Sequence, residues 1–188
     1  MLLPPAYKRL KRAPQVMLPK DIGMVIAYSG IDRNSKCFDA GSGSGWLAVS
    51  LARVAKEVTS YEMRDEFLKV AQKNAEAEGL TNLKVRKGDP IKKIVPKNLD
   101  LVTLDMPDSD KAVPNGFKAL KKGGHIFGYL PHIEQLKKFV RALNKTGFQN
   151  IYCCEIIQRE IMTRAEGTRP STKGLWHTAY LVFARKPE

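Results

Sequence analysis

Three glycines alternate with serines at Gly41-Ser42-Gly43-Ser44-Gly45, directly after an apolar run that closes on Asp39-Ala40. Glycine permits a tight turn and lets a ligand approach the backbone closely. A helical pattern opens near Ser44, so its unpaired N–H groups face the same turn. Such a stretch binds a nucleotide-like cofactor. The dinucleotide fingerprint G-x-G-x-x-G needs glycine at position 46, where this chain has Trp46. An acidic residue ahead of the turn instead suits a cofactor with a cationic amino-acid end, S-adenosylmethionine, whose α-ammonium needs a carboxylate nearby. Asp39, Gly41, Ser42, Gly43, Ser44 and Gly45 are therefore expected to hold it. The plainer alternative is an ordinary glycine-rich loop.

More polar groups fall where later strands should end. Glu62 lies 21 residues after Gly41, the spacing at which an acid grips a ribose diol. Asp89 could accept a hydrogen bond from an adenine amino group. Asp105 closes the fourth apolar run, and Tyr129 and His132 close the fifth. Each alone reads equally well as a cap or a turn residue. Together they mark one edge of a sheet, where open α/β proteins bind ligands.

The elements that must position them alternate along the chain. A helix is expected from Pro19 to about Ser29, then a strand over 36–40 and a helix over 44–54. Further strands are expected at 57–62, 83–87, 99–104, 125–130, 148–157 and 176–185, with helices over 64–78, 109–120 and 132–146. Repeated β-α units closed by a late strand pair predict a Rossmann-like α/β fold: a seven-stranded, mostly parallel sheet with helices on both faces. Residues 1–19, with Lys8, Arg9, Lys11 and Arg12, read as a basic arm ahead of one domain over 20–188.

The 188 residues carry 32 Lys and Arg against 19 Asp and Glu, a net charge of +13. That excess favours a polyanionic partner, nucleic acid before membrane, although a generally basic surface would give the same count. Arg159, Arg164, Arg169 and Lys173 in the loop 159–173 could hold RNA backbone. No apolar run reaches membrane-spanning length, and Met1-Leu2-Leu3-Pro4-Pro5 has no signal-peptide pattern. Cys37, Cys153 and Cys154 form no disulfide framework or metal spacing, so a reduced, cytoplasmic protein without metal is expected.

Several stretches carry a more specific resemblance: Gln15-Val16-Met17-Leu18-Pro19-Lys20-Asp21, the Asp39–Gly45 turn, Ser60-Tyr61-Glu62 and Leu104-Asp105-Met106-Pro107. To these are added Tyr129-Leu130-Pro131-His132-Ile133-Glu134-Gln135 and the close from His177 to Lys186. With these the chain resembles the archaeal and bacterial tRNA (adenine-58-N1)-methyltransferases, within the class I S-adenosylmethionine-dependent methyltransferases. The resemblance implies cofactor contacts at Asp39 to Gly45, Glu62, Asp89 and Asp105, with Asp105 also the catalytic aspartate. It further implies tRNA as substrate and a homo-oligomer, a tetramer. Tyr129, His132, Arg159 and Arg169 are the expected substrate contacts. Two departures stand out: almost nothing matches the family's small N-terminal β-rich domain, and Asp108-Ser109-Asp110 stands where the family usually has Trp. Two rival readings are a small-molecule methyltransferase, for example one acting on a corrin precursor, and a non-catalytic RNA-binding partner subunit.

Overall fold

Apolar runs bounded by turn residues become the central strands of the computed structural model, which describes residues 3–13 and 15–188. Met1, Leu2 and Pro14, part of the expected basic arm, lie outside the described residues. The first parallel strands are β1 (Lys36–Ala40), β2 (Glu57–Glu62), β3 (Leu83–Lys87) and β4 (Leu99–Leu104), where the sequence places them. They are followed by β5 (Leu120–Leu130), β6 (Gln149–Cys154), the short pair β7 (Ile161–Arg164) and β8 (Gly167–Pro170), and β9 (Tyr180–Arg185). The seven-stranded sheet has the order β3-β2-β1-β4-β5-β9-β6, and β9 alone runs opposite to the other six strands. The chain reverses its direction of travel between β1 and β4, which makes their carboxyl ends the expected ligand crevice.

Helices α1 (Pro5–Lys8), α2 (Pro19–Ser29), α3 (Trp46–Ala52), α4 (Asp65–Ala77), α5 (Ser109–Ala119) and α6 (Ile133–Thr146) complete the fold. Successive strand residues point to opposite faces, so β4 sends Leu101 into one core and Val102 into the other. The first core joins the sheet to Trp46, Val49 and Leu51 of α3, with Ile22 and Val25 of α2. The second joins it to Ala112 and Val113 of α5 and Phe139 and Leu143 of α6. The segment ahead of α2 packs onto the first core: Leu10 is buried, Tyr7 lies 5.0 Å from the Trp46 ring, and Asn74 bonds both N–H and C=O of Lys11.

Three expectations change. Strand β5 begins at Leu120, because Leu99 pairs with it ahead of an irregularity in the register. Strand β6 stops at Cys154 and β9 starts only at Tyr180, so His177 and Thr178 lie in a loop. The expected loop 159–173 contains the β7–β8 hairpin, whose residues are almost all exposed. With neither face buried it shows little of the apolar alternation that marks a strand. Among the described residues no helix is long and apolar enough to cross a membrane.

Candidate active site at the ends of β1 and β4

The glycine turn leaves β1 at Gly41 with φ +86°. A side chain there would overlap the carbonyl of Asp105, whose own N–H is bonded to Ala40 O at 2.9 Å. Glycine at 41 is thus demanded by the neighbouring strand β4, quite apart from any ligand. Gly45, at φ +79°, caps α3, and a Cβ there would crowd Ala71 of α4 at 3.2 Å.

Polar side chains lock this turn from three strands. Asp39, 1% exposed, accepts from Ser60 Oγ of β2 at 2.5 Å and from Thr103 Oγ1 of β4 at 2.8 Å. Ser60 Oγ is also 2.5 Å from Ser42 Oγ. Burial pushes the Asp39 carboxyl above its ordinary range, while the two hydroxyl bonds pull it back and Glu62 adds to the rise. Glu62 accepts from the Gly43 N–H through Oε2 and from the Met63 and Arg64 N–H groups through Oε1, at 2.9 to 3.0 Å. A carboxylate has about four acceptor sites, so Oε2 keeps one lone pair free. Its main structural work is to hold the turn.

Asp105 is different. It is half-buried, and among the described residues no donor reaches its carboxyl. Burial first, then the negative charges of Asp39 and Glu62, push it up to about 8. It lines a cavity of about 80 Å³ with Asp39, Gly41, Gly43, Ser44 and Arg64, and a second of about 290 Å³ with Tyr129, Leu175 and His177. It is the one acid among the described residues lining both.

The second cavity is shaped by a buried network. Asp21, at the start of α2, is 0% exposed. It takes the Lys20 ammonium at 2.7 Å, the Thr178 hydroxyl at 3.0 Å and the Tyr129 hydroxyl at 3.2 Å. Lys20 Nζ also donates to Ile156 O and Thr178 Oγ1. Thr178 therefore accepts from Lys20 and must donate to Asp21, and Tyr129 donates as well. Burial and the Asp21 charge raise the Tyr129 phenol well above its ordinary range. His177 faces Glu155 Oε1 at 2.6 Å and Pro131 O at 2.9 Å, and both acceptors raise its imidazole.

The expected residues divide accordingly. Asp39, the turn, Glu62, Asp105 and Tyr129 meet at the two cavities or hold their walls. Asp89 does not join them: its carboxylate caps the Ile91 N–H at 2.9 Å, closing the turn after β3. His132 is the exposed N-cap of α6, with Gln135 accepting from its backbone N–H. Arg159, in the loop ahead of the hairpin, and Arg169, on β8, are exposed, Arg159 with its guanidinium 5.9 Å from the Trp176 ring. Sequence reasoning missed Lys20, Asp21, Leu175 and Thr178 as site residues, and it placed Arg12 only in a basic arm that could touch RNA phosphates. The acid at 21 reads locally as a helix-start charge, and nothing nearby pairs it with residues 129 and 178.

Two carboxyl groups, Asp39 and Asp105, line one small cavity beside the turn that Glu62 holds, and burial raises both above the usual range. A ligand with positive centres fits that donor set. S-adenosylmethionine carries two, the sulfonium and the α-ammonium, and the adjoining 290 Å³ cavity leaves room beyond the 80 Å³ one.

Comparison with known proteins agrees. The family model described as tRNA methyltransferase complex GCD14 subunit matches residues 7–170. A Methanocaldococcus jannaschii relative, the tRNA (adenine(57)-N(1)/adenine(58)-N(1))-methyltransferase TrmI, is 40% identical, covering 96% of this chain and 74% of its own. The Thermus thermophilus tRNA (adenine(58)-N(1))-methyltransferase TrmI is 30% identical, covering 94% of this chain and 71% of its own. The crystal structure of tRNA (m1A58) methyltransferase TrmI from Aquifex aeolicus superposes with a TM-score of 0.91 at 29% identity, over 98% of this chain and 77% of that one. With the glycine turn, the acid cluster and the match over residues 7–170 in agreement, the chain belongs to the GCD14/TrmI family of tRNA methyltransferases.

Proposed function

We propose that this chain transfers a methyl group from S-adenosylmethionine to N1 of an adenine in tRNA, of the position-58 type. The observation that carries the reading is Asp105, an acid without an internal partner standing at the wall shared by the donor-side and acceptor-side cavities. Asp39 and the turn Gly41–Gly45 would hold the cofactor's amino-acid end, and the free lone pair of Glu62 Oε2 would accept from a ribose hydroxyl. When bound, the cofactor supplies a methyl group on a positively charged sulfur, open to in-line displacement.

The protein's part is alignment and charge. Adenine N1 lies on the pairing edge, so the base has to leave its stack to be reached. In the larger cavity Asp105 accepts a hydrogen bond from the exocyclic amine and orients N1. As N1 is alkylated the ring becomes cationic and its amine acidic; the carboxylate beside it stabilises that charge and takes the proton. Asp21 commits the Tyr129 hydroxyl hydrogen, which leaves the phenol oxygen as a second acceptor toward the base. A base with an oxo group in place of the amine meets two acceptors and is rejected.

The strand around the base runs over basic residues: Arg12 at the cavity wall, Arg159 just ahead of the hairpin and Arg169 on it. Of the basic segment 8–12, Arg9 is partly spent on Glu78. A homo-oligomer, a tetramer, working in the cytoplasm is part of the same proposal; for self-association the supporting feature is strand β6, the outer edge of the sheet, with Tyr152 40% exposed. Sedimentation of the purified chain tests the assembly. The function is tested by transfer of labelled methyl to unmodified tRNA followed by nucleoside analysis. Label in 1-methyladenosine supports it; label elsewhere, or none, overturns it.

A further inference from the structure

Beyond the acceptor cavity lies a larger one, of about 600 Å³, on the outer side of Leu175. The two share Arg12, Leu18 and Leu175 as a common wall. Leu175 is 60% exposed although it stands between two concave surfaces. The outer cavity adds Lys173, Gln158 and the root of the hairpin, where Ser171 N–H bonds Glu160 O at 2.7 Å. Among the described residues Lys173 and Gln158 make no side-chain hydrogen bond or ion pair, and Arg12 has only the Trp46 ring at 5.6 Å. Its volume is that of an ordinary small-ligand site.

A base drawn into the acceptor cavity stays joined to its neighbours through one phosphate on each side. An adjoining nucleotide must therefore lie at the mouth of that cavity, and the concave surface that begins there is the one across Leu175. Its apolar wall suits a base face, its two unpaired cations suit phosphates, and the Gln158 amide can reach a base edge. We infer that the 600 Å³ cavity is a second nucleotide subsite, which takes the nucleotide flanking the methylated adenosine, with Leu175 as the partition between them. An apolar side chain inserted between two successive bases keeps them unstacked. Leu175 thus removes the stack that would otherwise draw the target base back. This rests on the function proposed above, and it gives the enzyme a grip on the local strand separate from its grip on the base.

The experiment pairs protein and substrate changes. Wild type and Leu175→Ala are assayed for methyl transfer on intact tRNA and on transcripts with an abasic nucleotide on either side of the target adenosine. Wild type should lose about tenfold in kcat/KM when one of the two flanking bases is removed, the scale of one lost base contact. Leu175→Ala should lose a similar factor on intact tRNA and little more on that abasic transcript. Lys173→Gln should reduce the salt dependence of log KM by about 0.7–0.9, one phosphate contact. Equal losses in wild type and Leu175→Ala, or a wild type indifferent to both abasic transcripts, would overturn the subsite. Leu175 is exposed, and an unchanged melting curve shows the variant folded; Gln158→Ala repeats the test from the far wall. A wild type that labels no tRNA at all fails the earlier reading, whereas labelling of every transcript with equal efficiency fails the subsite alone.

Discussion

On the glycine-turn side of Asp105, the polar side chains are bonded to one another. Asp39, Ser42, Ser60 and Thr103 form a continuous chain of bonds, and Glu62 holds the turn's own backbone. On the Tyr129 side, the inner wall is fixed by Asp21 and one rim by His177; among the described residues Arg12, Gln158 and Lys173 stand without carboxylate partners, and the space is several times larger. A small ligand of constant shape can be met by a prebuilt site, since preorganised groups cost little to order on binding. A strand of RNA needs room and free cations. The first side should therefore fail by distortion and the second by weakened capture.

Asp105 belongs to both sides, and its loss should have the largest effect. Asp105→Asn should lower methyl transfer by about 10²–10⁴, the usual range for a positioned acid–base group, while calorimetric binding of S-adenosylmethionine falls far less. The amide removes the ionisation that the site resists, so the variant should melt several degrees higher at pH 8. The sign follows from the shift. A carboxyl raised to about 8 in the folded chain contributes stability below its unfolded value near 3.8, and loses that contribution as pH rises through about 8. Since the acceptor role needs the carboxylate, kcat/KM of the wild type should climb about tenfold per pH unit below about 8 and level above it. A flat profile would remove Asp105 from the chemistry.

Gly41→Ala tests distortion on the donor side. The new methyl would run into the Asp105 carbonyl, and φ +86° is strained for any other residue. Either the turn or the end of β4 must shift. We expect cofactor affinity and transfer both to fall by about 10- to 100-fold, with a loss of about 1–3 kcal/mol in stability by denaturant unfolding. Retained affinity with lost transfer would mean that the turn serves Asp105 rather than the cofactor.

These two sides were unequally legible in the sequence. The donor side is coded locally: β1 to β4 begin and end at turn signals, and Asp39, Glu62 and Asp105 follow from counting to strand ends. Asp89 satisfied the same count, yet the chain turns at Gly88 and its carboxylate caps Ile91. Spacing places a residue at an edge without saying what its side chain bonds. The acceptor side is assembled from Arg12, Asp21, Tyr129 and residues 175–178, up to 166 positions apart in the sequence. No periodicity links them. Lys20 and Asp21 read as ordinary helix-start charges until packing buries both against β9's leading loop.

Tyr129→Phe separates the fixed wall from the open one. It removes the acceptor proposed to meet the base while keeping the ring, and leaves Asp21 with Lys20 and Thr178. Transfer to tRNA should fall about five- to tenfold, the cost of one hydrogen bond, with cofactor affinity unchanged. Discrimination between an adenosine and an inosine at the target should narrow in proportion. An unaltered ratio would mean that Tyr129 only lines the cavity.

The smallest effect should come from His177, whose two ring nitrogens face the Glu155 carboxylate and the Pro131 carbonyl. Two acceptors satisfy an imidazolium, which has two donors, and leave a neutral ring with one bond unmade. Lys20 opposes the charge, Glu155 supports it, and the Tyr180 ring packs 5.0 Å away. With its folded value raised above 6.5, His177 contributes stability below that pH and loses it as pH rises through the folded value. That trend has the same sign as the Asp105 trend, so the measurement belongs in the Asp105→Asn background, where the carboxyl no longer titrates. There the melting temperature should still decline by about 1–3 °C between pH 6 and 8, the scale of an exposed ion pair in a chain of this size. Adding His177→Gln should flatten the decline. A slope that survives the second substitution would mean that the clamp between the loops at 131 and 155 is not ionic, and that this rim of the acceptor cavity is held by backbone packing alone.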